Sequence, residues 1–385
     1  MAFLIATAAG LHLHCGEDPR PRPNLLLITL EDIRPDDLAC YDPTAEKGYA
    51  ICELAQEGGR FVWAFSTSPA TGPAAATVLT GRSPTQHGVS ESVASFLAGP
   101  ETTLAEALRQ GGYETAAFVS NPELNRSRHL HPGFDLYQDR LDLESLVAAA
   151  RDWMNSTEGP WFIWAHLMRS KQGSGASVSE STLLRLDRSV AELITSLDDE
   201  SRPRGILLTS LHGRGNDDAS LNPELDLLRL RVPLLWQAPD TSLSPGVARK
   251  LRTPVSLVDV APTLIEAAAL PSPETARIEG VALPYADLPK RPIRTIVAEH
   301  AGATLVIHGA EFARFPSRSD PARMAAGSGR LWPAANPTSE QTPSLDTSST
   351  GRARNQKLKR LIGSETTKTE PTIPRGARDT GFVQP

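Results

Sequence analysis

The 385-residue sequence contains few cysteines and no long apolar run, and each of these gaps excludes a class of protein. Its three cysteines, Cys15, Cys40 and Cys52, show neither a CxxC motif nor Cys/His spacing, so the sequence indicates no zinc site and no disulfide framework. We expect free, buried thiols, and a single disulfide is the alternative. No segment reaches the ~18 consecutive apolar residues that a membrane-spanning helix needs, so we predict no transmembrane span.

The sequence also lacks an excess of positive charge. Its 39 Lys and Arg residues against 45 Asp and Glu residues give a net charge of −6 and a pI near 5.9. Proteins that bind nucleic acid usually concentrate basic residues on one surface. We therefore predict that nucleic acid is not a partner. The hydrophobic residues, 40% of the chain, are enough for a large core.

Residues 1–21 are predicted to be a leader. The segment is apolar as far as Leu11 and then polar, and it lacks the basic residues that open an export signal. Cys15 follows the apolar stretch, as a lipidated cysteine does, but residues 12–14 (HLH) are not the small residues expected before one. A clipped export or lipoprotein signal would place the protein in the cell envelope or outside the cell, and a cytoplasmic location is the alternative.

Segments with strand and helix patterns alternate along residues 22–330. Continuous apolar runs between polar flanks are typical of buried parallel strands, and apolar residues three or four positions apart are typical of helices. The alternation predicts an α/β domain with a mainly parallel central sheet and helices on both faces. Ligands of such domains bind beyond the C-terminal ends of the strands. The predicted strands are 24–30, 115–120, 161–167, 206–210 and 232–237, and the predicted helices lie at 102–110, at 183–197 and within 255–270.

The composition changes at residue 331. Residues 331–385 have only 13 hydrophobic residues among 55, are rich in Pro, Ser and Thr, and carry eight basic against five acidic residues, a net charge of +3. Such a segment buries too little apolar surface to offset the entropy that ordering costs. We predict a disordered basic tail.

Two carboxylates, Glu31 and Asp32, directly follow the first predicted strand and so lie at the C-terminal edge of the predicted sheet. Adjacent carboxylates repel each other, so they are stable there mainly when a cation or other positive groups neutralise them. The pair predicts a cation site, and an exposed acidic loop is the alternative.

Thr71 precedes Pro73 and an alanine-rich run that ends at Gly81, a pattern that predicts a helix beginning at or just after Thr71. The free N–H groups and the dipole at such a helix end attract anions. A nucleophilic hydroxyl there would face a sulfate or phosphate group, whereas the alternative is a simple N-cap residue. His212, beside Gly213 at the end of another predicted strand, is either a ligand or a structural residue.

These three segments, in this order, resemble the sulfatase family of the alkaline-phosphatase-like superfamily. The resemblance runs from about residue 23 to about residue 315 and implies an alkaline-phosphatase/sulfatase-like fold for the domain. The matching segments are 23–41 (the opening strand, with R-x-x-D and C-Y), 71–89 (the nucleophile, then L-T-G and P-x-x-H-G-V), 103–115 (T-L to G-Y-x-T), 133–135 (G-F-D), 209–213 (T-S-x-H-G), 231–234 (V-P-L) and 259–263 (D-x-x-P-T).

The resemblance also implies the roles of individual residues. It implies an oxygen-rich site for a divalent metal, held by Glu31, Asp32 and His212. Ca²⁺ is expected, because Glu31 is one methylene longer than the family's Asp, which rigid Mg²⁺ tolerates poorly. Thr71 takes the place of the catalytic nucleophile, and Lys171 is a candidate substrate-binding residue, with a surface lysine as the alternative. The implied substrates are sulfated or phosphorylated small molecules or glycans.

Three positions depart from the family pattern. The family's nucleophile is formylglycine, an aldehyde made from Cys or Ser, but Thr71 has a methyl group on the reacting carbon, so oxidation would give a ketone and formylglycine is not expected. Leu211 stands where a metal-binding Asp is expected, and Ala75 stands where a basic residue supports the nucleophile. Asp217 or Asp218 is a candidate replacement for the carboxylate lost at Leu211.

These departures leave three hypotheses for the function. The chain is a metal-dependent sulfuric ester hydrolase with an eroded metal site, a phosphate or phosphonate ester hydrolase that uses Thr71 directly, or a pseudoenzyme that binds an anionic ligand without turnover. The sequence does not indicate an oligomeric state.

Overall fold

A computed structural model describes most of the chain from residue 21 to residue 330. The described residues are 21–41, 50–91, 95–97, 102–168, 178–197, 202–215, 227–239, 249–273, 277–283, 294–300, 303–309, 311–315, 327–330, 353 and 356–358.

Strands and helices alternate along the described residues. The strands are β1 (Asn24–Asp32), β2 (Gly59–Phe61), β3 (Ala64–Phe65), β4 (Glu114–Val119), β5 (Leu136–Gln138), β6 (Trp161–Leu167), β7 (Arg204–Gly213), β8 (Arg231–Val232), β9 (Leu234–Gln237), β10 (Arg249–Leu251), β11 (Val255–Ser256), β12 (Thr295–His300), β13 (Ala303–His308), β14 (Glu311–Phe315) and β15 (Gly327–Arg330). The helices are α1 (Ala50–Glu57), α2 (Thr71–Thr80), α3 (Pro84–His87), α4 (Leu104–Gln110), α5 (Leu143–Ser156), α6 (Glu180–Thr195), α7 (Leu227–Leu230) and α8 (Val260–Ala267).

The central sheet has eight strands in the order β10-β2-β9-β7-β1-β6-β4-β5. Strand β1 pairs in parallel with β6 and β7, and β4 pairs in parallel with β5 and β6, whereas β9 is antiparallel to both of its neighbours. The prediction of an α/β fold with a mainly parallel sheet is therefore confirmed. Since β1 is central, its C-terminal end lies between the ends of two parallel neighbours.

Helices cover both faces of this sheet, and β1 shows why. Leu25 and Leu27 point into one core, which includes residues of α2, α4 and α8. Leu26, Ile28 and Leu30 point into the other, which includes residues of α1, α5 and α6. Successive side chains of a strand point to opposite faces, so a continuous apolar run is fully buried only between two layers of helices.

The structure departs from the predicted elements in several places. Pro233 divides the predicted strand 232–237 into β8 and β9, because proline has no N–H group to donate to the ladder. The sequence patterns do not predict helices α1 and α5 or strands β2, β5 and β10. They also miss the antiparallel sheet β12-β13-β14-β15, which lies at the C-terminal end of the predicted domain.

The predicted leader and the predicted tail lie largely outside the described residues. Within the tail, Leu358 is fully buried against Val306 and Ala313 of the four-stranded sheet, and Lys357 Nζ lies 2.7 Å from Glu311 Oε2. Every helix in the described ranges is too short or too polar to cross a bilayer.

Cys40 and Cys52 form a disulfide, with their Cα atoms 5.3 Å apart. The prediction of free thiols is therefore wrong for these two residues, and Cys15 lies outside the described residues. Cys52 belongs to α1, and Cys40 follows the short 3₁₀ helix Pro35–Asp37. The twelve-residue separation between them does not reveal that the chain turns back on itself.

Candidate functional site

The acidic pair lies on an irregular end of β1. The pairing of β1 with β7 shifts its register between Leu30 and Asp32, so Glu31 occupies a bulge. Asp32 has a left-handed backbone, with φ of 59°, which aspartate tolerates better than most residues. Ser210 Oγ lies 2.9 Å from Leu30 O and 2.7 Å from His212 O, which ties the bulge to β7. A bulge re-aims side chains, and here both carboxylates reach the His212 ring.

Thr71 begins α2, as the sequence predicts. Ala70 has an extended backbone and its N–H donates to Ser68 Oγ (3.2 Å), while Gly81, at φ 66°, ends the helix in the left-handed region. Every residue of α2 is buried, including Thr71. Because Thr71 contacts Glu31 at the end of β1, the free N–H end of α2 lies at the C-terminal edge of the sheet.

Thr71, Glu31 and His212 meet at this edge. The Thr71 hydroxyl donates a hydrogen bond to Glu31 Oε1. His212 Nε2 lies 3.2 Å from Thr71 Oγ1 and 3.0 Å from Glu31 Oε1. The structure thus brings together the predicted nucleophile and two of the three predicted metal ligands.

Asp32, the third predicted ligand, lies on the other side of the His212 ring. Its Oδ1 is 3.4 Å from His212 Nδ1, and Gly213 O is 3.1 Å from the same nitrogen. Because a carbonyl oxygen only accepts hydrogen bonds, Nδ1 carries a hydrogen. The imidazole ring therefore separates the two adjacent carboxylates.

The cluster is strongly polarised. Burial lowers the pKa of His212, but the charge and hydrogen bond of Glu31, followed by the charge of Asp32, raise it to about 9. Burial raises the pKa of Glu31, but His212 and His166 together hold it far below its usual range. Glu31 is thus an ionised carboxylate in a buried place, a pattern that is frequent at functional sites.

His166 is a member of the cluster that the sequence patterns miss. It lies on β6 opposite Thr29 of β1, and its Nε2 faces Glu31 Oε2 at 3.3 Å. The signal available in the sequence is a lone histidine in an otherwise apolar, fully buried strand. Without knowledge of the register between β1 and β6, the sequence gives no reason to distinguish this histidine from an ordinary core residue.

The family positions that have lost their polar groups are filled by the core. Leu211 and Ala75 are both fully buried, and they belong to the same hydrophobic cluster. Arg128 supplies a positive charge nearby: a methyl group placed on Gly72 would lie 3.2 Å from its Nη1. This buried guanidinium donates to Glu123 O and Ser95 O, at 3.2 and 3.0 Å.

Three predicted positions cannot be placed relative to the cluster. Lys171, Asp217 and Asp218 lie outside the described residues.

Another carboxylate of the opening family motif, Asp37, is structural. It pairs through both oxygens with Arg214, two residues beyond His212, and accepts a hydrogen bond from Arg34 N at 2.8 Å. This pair fastens the segment after β1 to the segment after β7. It therefore stabilises the edge that carries Glu31 and His212.

The cluster brings together three atoms of the types that bind divalent cations. Glu31 Oε1, Thr71 Oγ1 and His212 Nε2 lie no more than 3.2 Å from one another. The hydrogen on Nδ1 is held by a carbonyl and by Asp32, as is common for histidines that bind metals through the other nitrogen. In the described part of the chain no three His, Cys, Asp or Glu side chains form a metal site by themselves, so the Thr71 hydroxyl is needed as the third donor.

Comparison with known proteins agrees with the motifs. A family model described as Sulfatase matches residues 23–270. Arylsulfatase G of Rattus norvegicus is 35% identical over 129 residues, which are 32% of this chain and 24% of that protein. The matching part thus spans about a quarter of the length of that relative.

Solved structures match over a longer range but at low identity. A protein solved in complex with its substrate D-glucosamine-2-N,6-O-disulfate has a TM-score of 0.69 at 14% identity, and the match covers 90% of this chain and 98% of that one. Phosphonate monoester hydrolase of Agrobacterium radiobacter has a TM-score of 0.66 at 17% identity, covering 90% and 96%. These matches show the fold. Because the family model covers more than half of the chain, including Glu31, Thr71 and His212, this protein belongs to the sulfatase family.

Proposed function

We propose that this protein hydrolyses phosphate, phosphonate or sulfate monoesters, with Thr71 Oγ1 as the nucleophile. The observation that carries the proposal is the position of the Thr71 hydroxyl. It lies at the start of α2, donates to the ionised Glu31 carboxylate, and is 3.2 Å from His212 Nε2. A hydroxyl that is oriented by a neighbouring base and faces an anion-attracting helix end is arranged for attack on an anionic ester.

The residues of this chain have separate tasks in that reaction. Glu31 accepts the hydrogen of the Thr71 hydroxyl and so aims an oxygen lone pair away from itself. Arg128, next to Gly72, adds positive charge at the end of α2 where the substrate anion would bind. As Thr71 Oγ1 bonds to P or S, its proton passes to Glu31. The ester bond to the leaving alcohol breaks, and that alcohol takes a proton from solvent. Water then cleaves the Thr71 ester, which releases phosphate, phosphonate or sulfate, and the proton held by Glu31 returns to Thr71 Oγ1.

A divalent cation, Ca²⁺ by family resemblance, completes the proposal. Glu31, His212 and Thr71 would hold it, with Asp32 fixing the His212 ring from the other side. When bound, the cation lowers the pKa of a coordinated hydroxyl and stabilises charge on the substrate.

Phosphate and phosphonate esters are favoured over sulfate esters by the nucleophile. Thr71 cannot become formylglycine, so it must act as an alkoxide. The phosphonate monoester hydrolase of Agrobacterium radiobacter shares the fold. A second fold neighbour was solved with a disulfated glucosamine, so we propose a sulfated or phosphorylated glycan or small molecule as the natural ligand.

The cell envelope or the extracellular space is the proposed location. The disulfide between Cys40 and Cys52 favours an oxidising compartment, where such bonds persist. Residues 22–330 would form the folded domain there, preceded by a leader and followed by a basic tail.

A second candidate function is binding of an anionic ligand without turnover. It is favoured by Leu211 and Ala75, because a buried leucine cannot bind a metal and a buried alanine cannot support the nucleophile. The helix end of α2, Arg128 and the polarised cluster would still bind an anion.

The test uses the full chain with three substrates: 4-nitrophenyl phosphate, 4-nitrophenyl phenylphosphonate and 4-nitrophenyl sulfate, each with and without Ca²⁺. We expect release of 4-nitrophenol that is lost in Thr71→Val and retained in Thr71→Ser, which keeps a hydroxyl. Equal turnover by Thr71→Val would exclude Thr71 as the nucleophile. Binding of orthovanadate with no turnover of any substrate would support the second candidate.

A further inference from the structure

We propose that His166 is a positioning residue of this site, which fixes the Glu31 carboxylate through a hydrogen-bonded chain that starts at Trp164. Its effect on turnover rests on the proposed function, but the chain itself can be tested without any activity. His166 is fully buried, as are Thr29 and Trp164. None of these three residues is among those that the family resemblance implies for the site.

The direction of the chain follows from the donors and acceptors. Trp164 Nε1 can only donate, and it lies 2.9 Å from Thr29 Oγ1. The Thr29 hydroxyl is 2.9 Å from His166 Nδ1. If the hydroxyl donates to Nδ1, the imidazole carries its hydrogen on Nε2. The opposite arrangement would aim two donors at Thr29 Oγ1 and leave the hydroxyl hydrogen without an acceptor among the described residues.

The Nε2–H group of His166 then points at Glu31. The two atoms, Nε2 and Oε2, are 3.3 Å apart, and within the described ranges neither has a well-aligned hydrogen-bond partner. Leaving a buried polar group unpaired costs about 1–3 kcal/mol. Each atom therefore has the other as its polar contact in a buried place, and we assign this contact as the last link of the chain.

The strand register explains why these residues meet. Leu27 lies opposite Trp164 and Thr29 lies opposite His166 on the parallel strands β1 and β6. Side chains two residues apart share a face of a strand, so Trp164 and His166 project together toward Thr29. Glu31, two residues beyond Thr29, continues along the same edge.

The consequence for Glu31 is that each carboxylate oxygen has its own partner. Oε1 contacts Thr71 and His212, and Oε2 faces His166. A glutamate has one more rotatable bond than an aspartate, so a second contact restricts the orientations that its carboxylate can adopt. His166 provides that contact from the neighbouring strand.

The first test reads the tautomer directly by ¹⁵N NMR of histidine-labelled protein. We expect hydrogen on Nε2 and none on Nδ1 of His166 in the wild type. In Thr29→Val, which keeps the shape but loses the hydroxyl, Nδ1 loses its donor and the signal should shift toward a mixture of tautomers. A wild-type His166 with hydrogen on Nδ1 would overturn the proposal, whether or not the protein hydrolyses any ester.

The second test compares two variants in which an amide side chain replaces the His166 imidazole, His166→Gln and His166→Asn. Gln places an N–H donor close to where Nε2 lies, whereas Asn is too short to reach Glu31. We expect His166→Asn to lower kcat for 4-nitrophenyl phosphate roughly 10- to 100-fold with little change in KM, and His166→Gln to retain most of it. His87→Gln is the matched control, since His87 is also buried but contacts Thr77 and Val89.

The outcomes of the second test separate the two proposals. Equal loss in His166→Asn and His166→Gln, in folded protein, would mean that the donor at Nε2 is irrelevant and would overturn the positioning role. A wild type without turnover would instead contradict the proposed hydrolase. In that case the ¹³C chemical shift of the Glu31 carboxyl group in the Asn and Gln variants decides whether His166 positions it.

Discussion

Two buried histidines of this chain lie in family motifs but have opposite electrostatic surroundings. His212, at the end of β7, is 8% exposed, and His87, in α3, is 3% exposed. Burial lowers the pKa of both. Glu31 and Asp32 outweigh it at His212 and raise the pKa to about 9, whereas no carboxylate opposes it at His87, whose pKa is lowered to about 3. Similar burial thus leaves one imidazole cationic and the other neutral at pH 7, and the neighbouring groups decide which.

The region around His87 is a scaffold. Val89 N donates to His87 Nδ1 at 3.1 Å, and Nε2 lies 3.2 Å from Thr77 Oγ1, which is 2.7 Å from Thr67 Oγ1. All of these groups are neutral and satisfied. They hold the middle of α2, the helix that begins with Thr71. The difference between the two regions teaches that one buried histidine orders the middle of α2, while the other pairs with carboxylates at the N-terminal end of that helix.

The largest expected effect comes from adding a carboxylate where the family has one. Leu211→Asp would place an unpaired charge in a fully buried apolar position beside His212, at a cost of about 3–5 kcal/mol of unfolding free energy. Leu211→Asn, which has the same shape without the charge, should lose less. Urea unfolding measures both. Partial recovery of Leu211→Asp by Ca²⁺, absent in Leu211→Asn, would show that the position still faces the cation site, and wild-type stability of Leu211→Asp would contradict the prediction.

The next largest effect is expected from Glu31→Gln, which should make the pKa of His212 more like that of His87. Glu31→Gln removes the largest contribution that raises the pKa of His212, so that pKa should fall, and the loss of charged hydrogen bonds should cost about 1.5–3 kcal/mol. Hydrolysis should be lost with it. Asp32→Asn is the matched control, because Asp32 is more exposed and raises the pKa less. An NMR titration of His212 that is unchanged in Glu31→Gln would contradict the comparison.

The pH dependence of stability sharpens the contrast at His87. Its pKa is about 3 in the folded protein, against 6.5 for an ordinary histidine in an unfolded chain, so the unfolded chain binds the proton first. The contribution of His87 is therefore complete above pH 6.5 and is lost as the pH falls toward 3, by up to about 1.4 kcal/mol per pH unit. His87→Gln should flatten the acid side of a plot of unfolding free energy against pH. An acid side as steep as in the wild type would show that other groups dominate it.

Some elements of the fold can be predicted from the sequence and others cannot. Strands β1 and β6 are predictable because they are continuous apolar runs, and the end of α2 is predictable because a glycine, Gly81, follows the alanine-rich run. The sheet β12-β13-β14-β15 is not, since its short strands depend on one another for pairing. The disulfide between Cys40 and Cys52 is not predictable either, because it depends on how the intervening chain folds back.

The site was predictable only as far as the motifs reached. Their order along the chain predicts that Glu31, Thr71 and His212 share one edge of the sheet, and the structure places them in contact. The side of the His212 ring on which Asp32 lies depends on the bulge in β1. The contact of His166 depends on the register between β1 and β6. Neither can be obtained from spacing, because both are set by pairing between segments far apart in sequence.

The smallest expected effect tests whether the two regions are independent. Thr77→Val keeps the shape of the side chain but removes the hydroxyl that contacts His87 and Thr67, at a cost of about 1 kcal/mol. Thr77 is six residues beyond Thr71, about 9 Å along the helix, so the pKa of His212 should stay unchanged. The double variant with Glu31→Gln should be additive to within about 0.5 kcal/mol in urea unfolding. A larger coupling would mean that α2 transmits strain from the scaffold to the nucleophile, and the separation between a structural and a chemical histidine would then no longer hold.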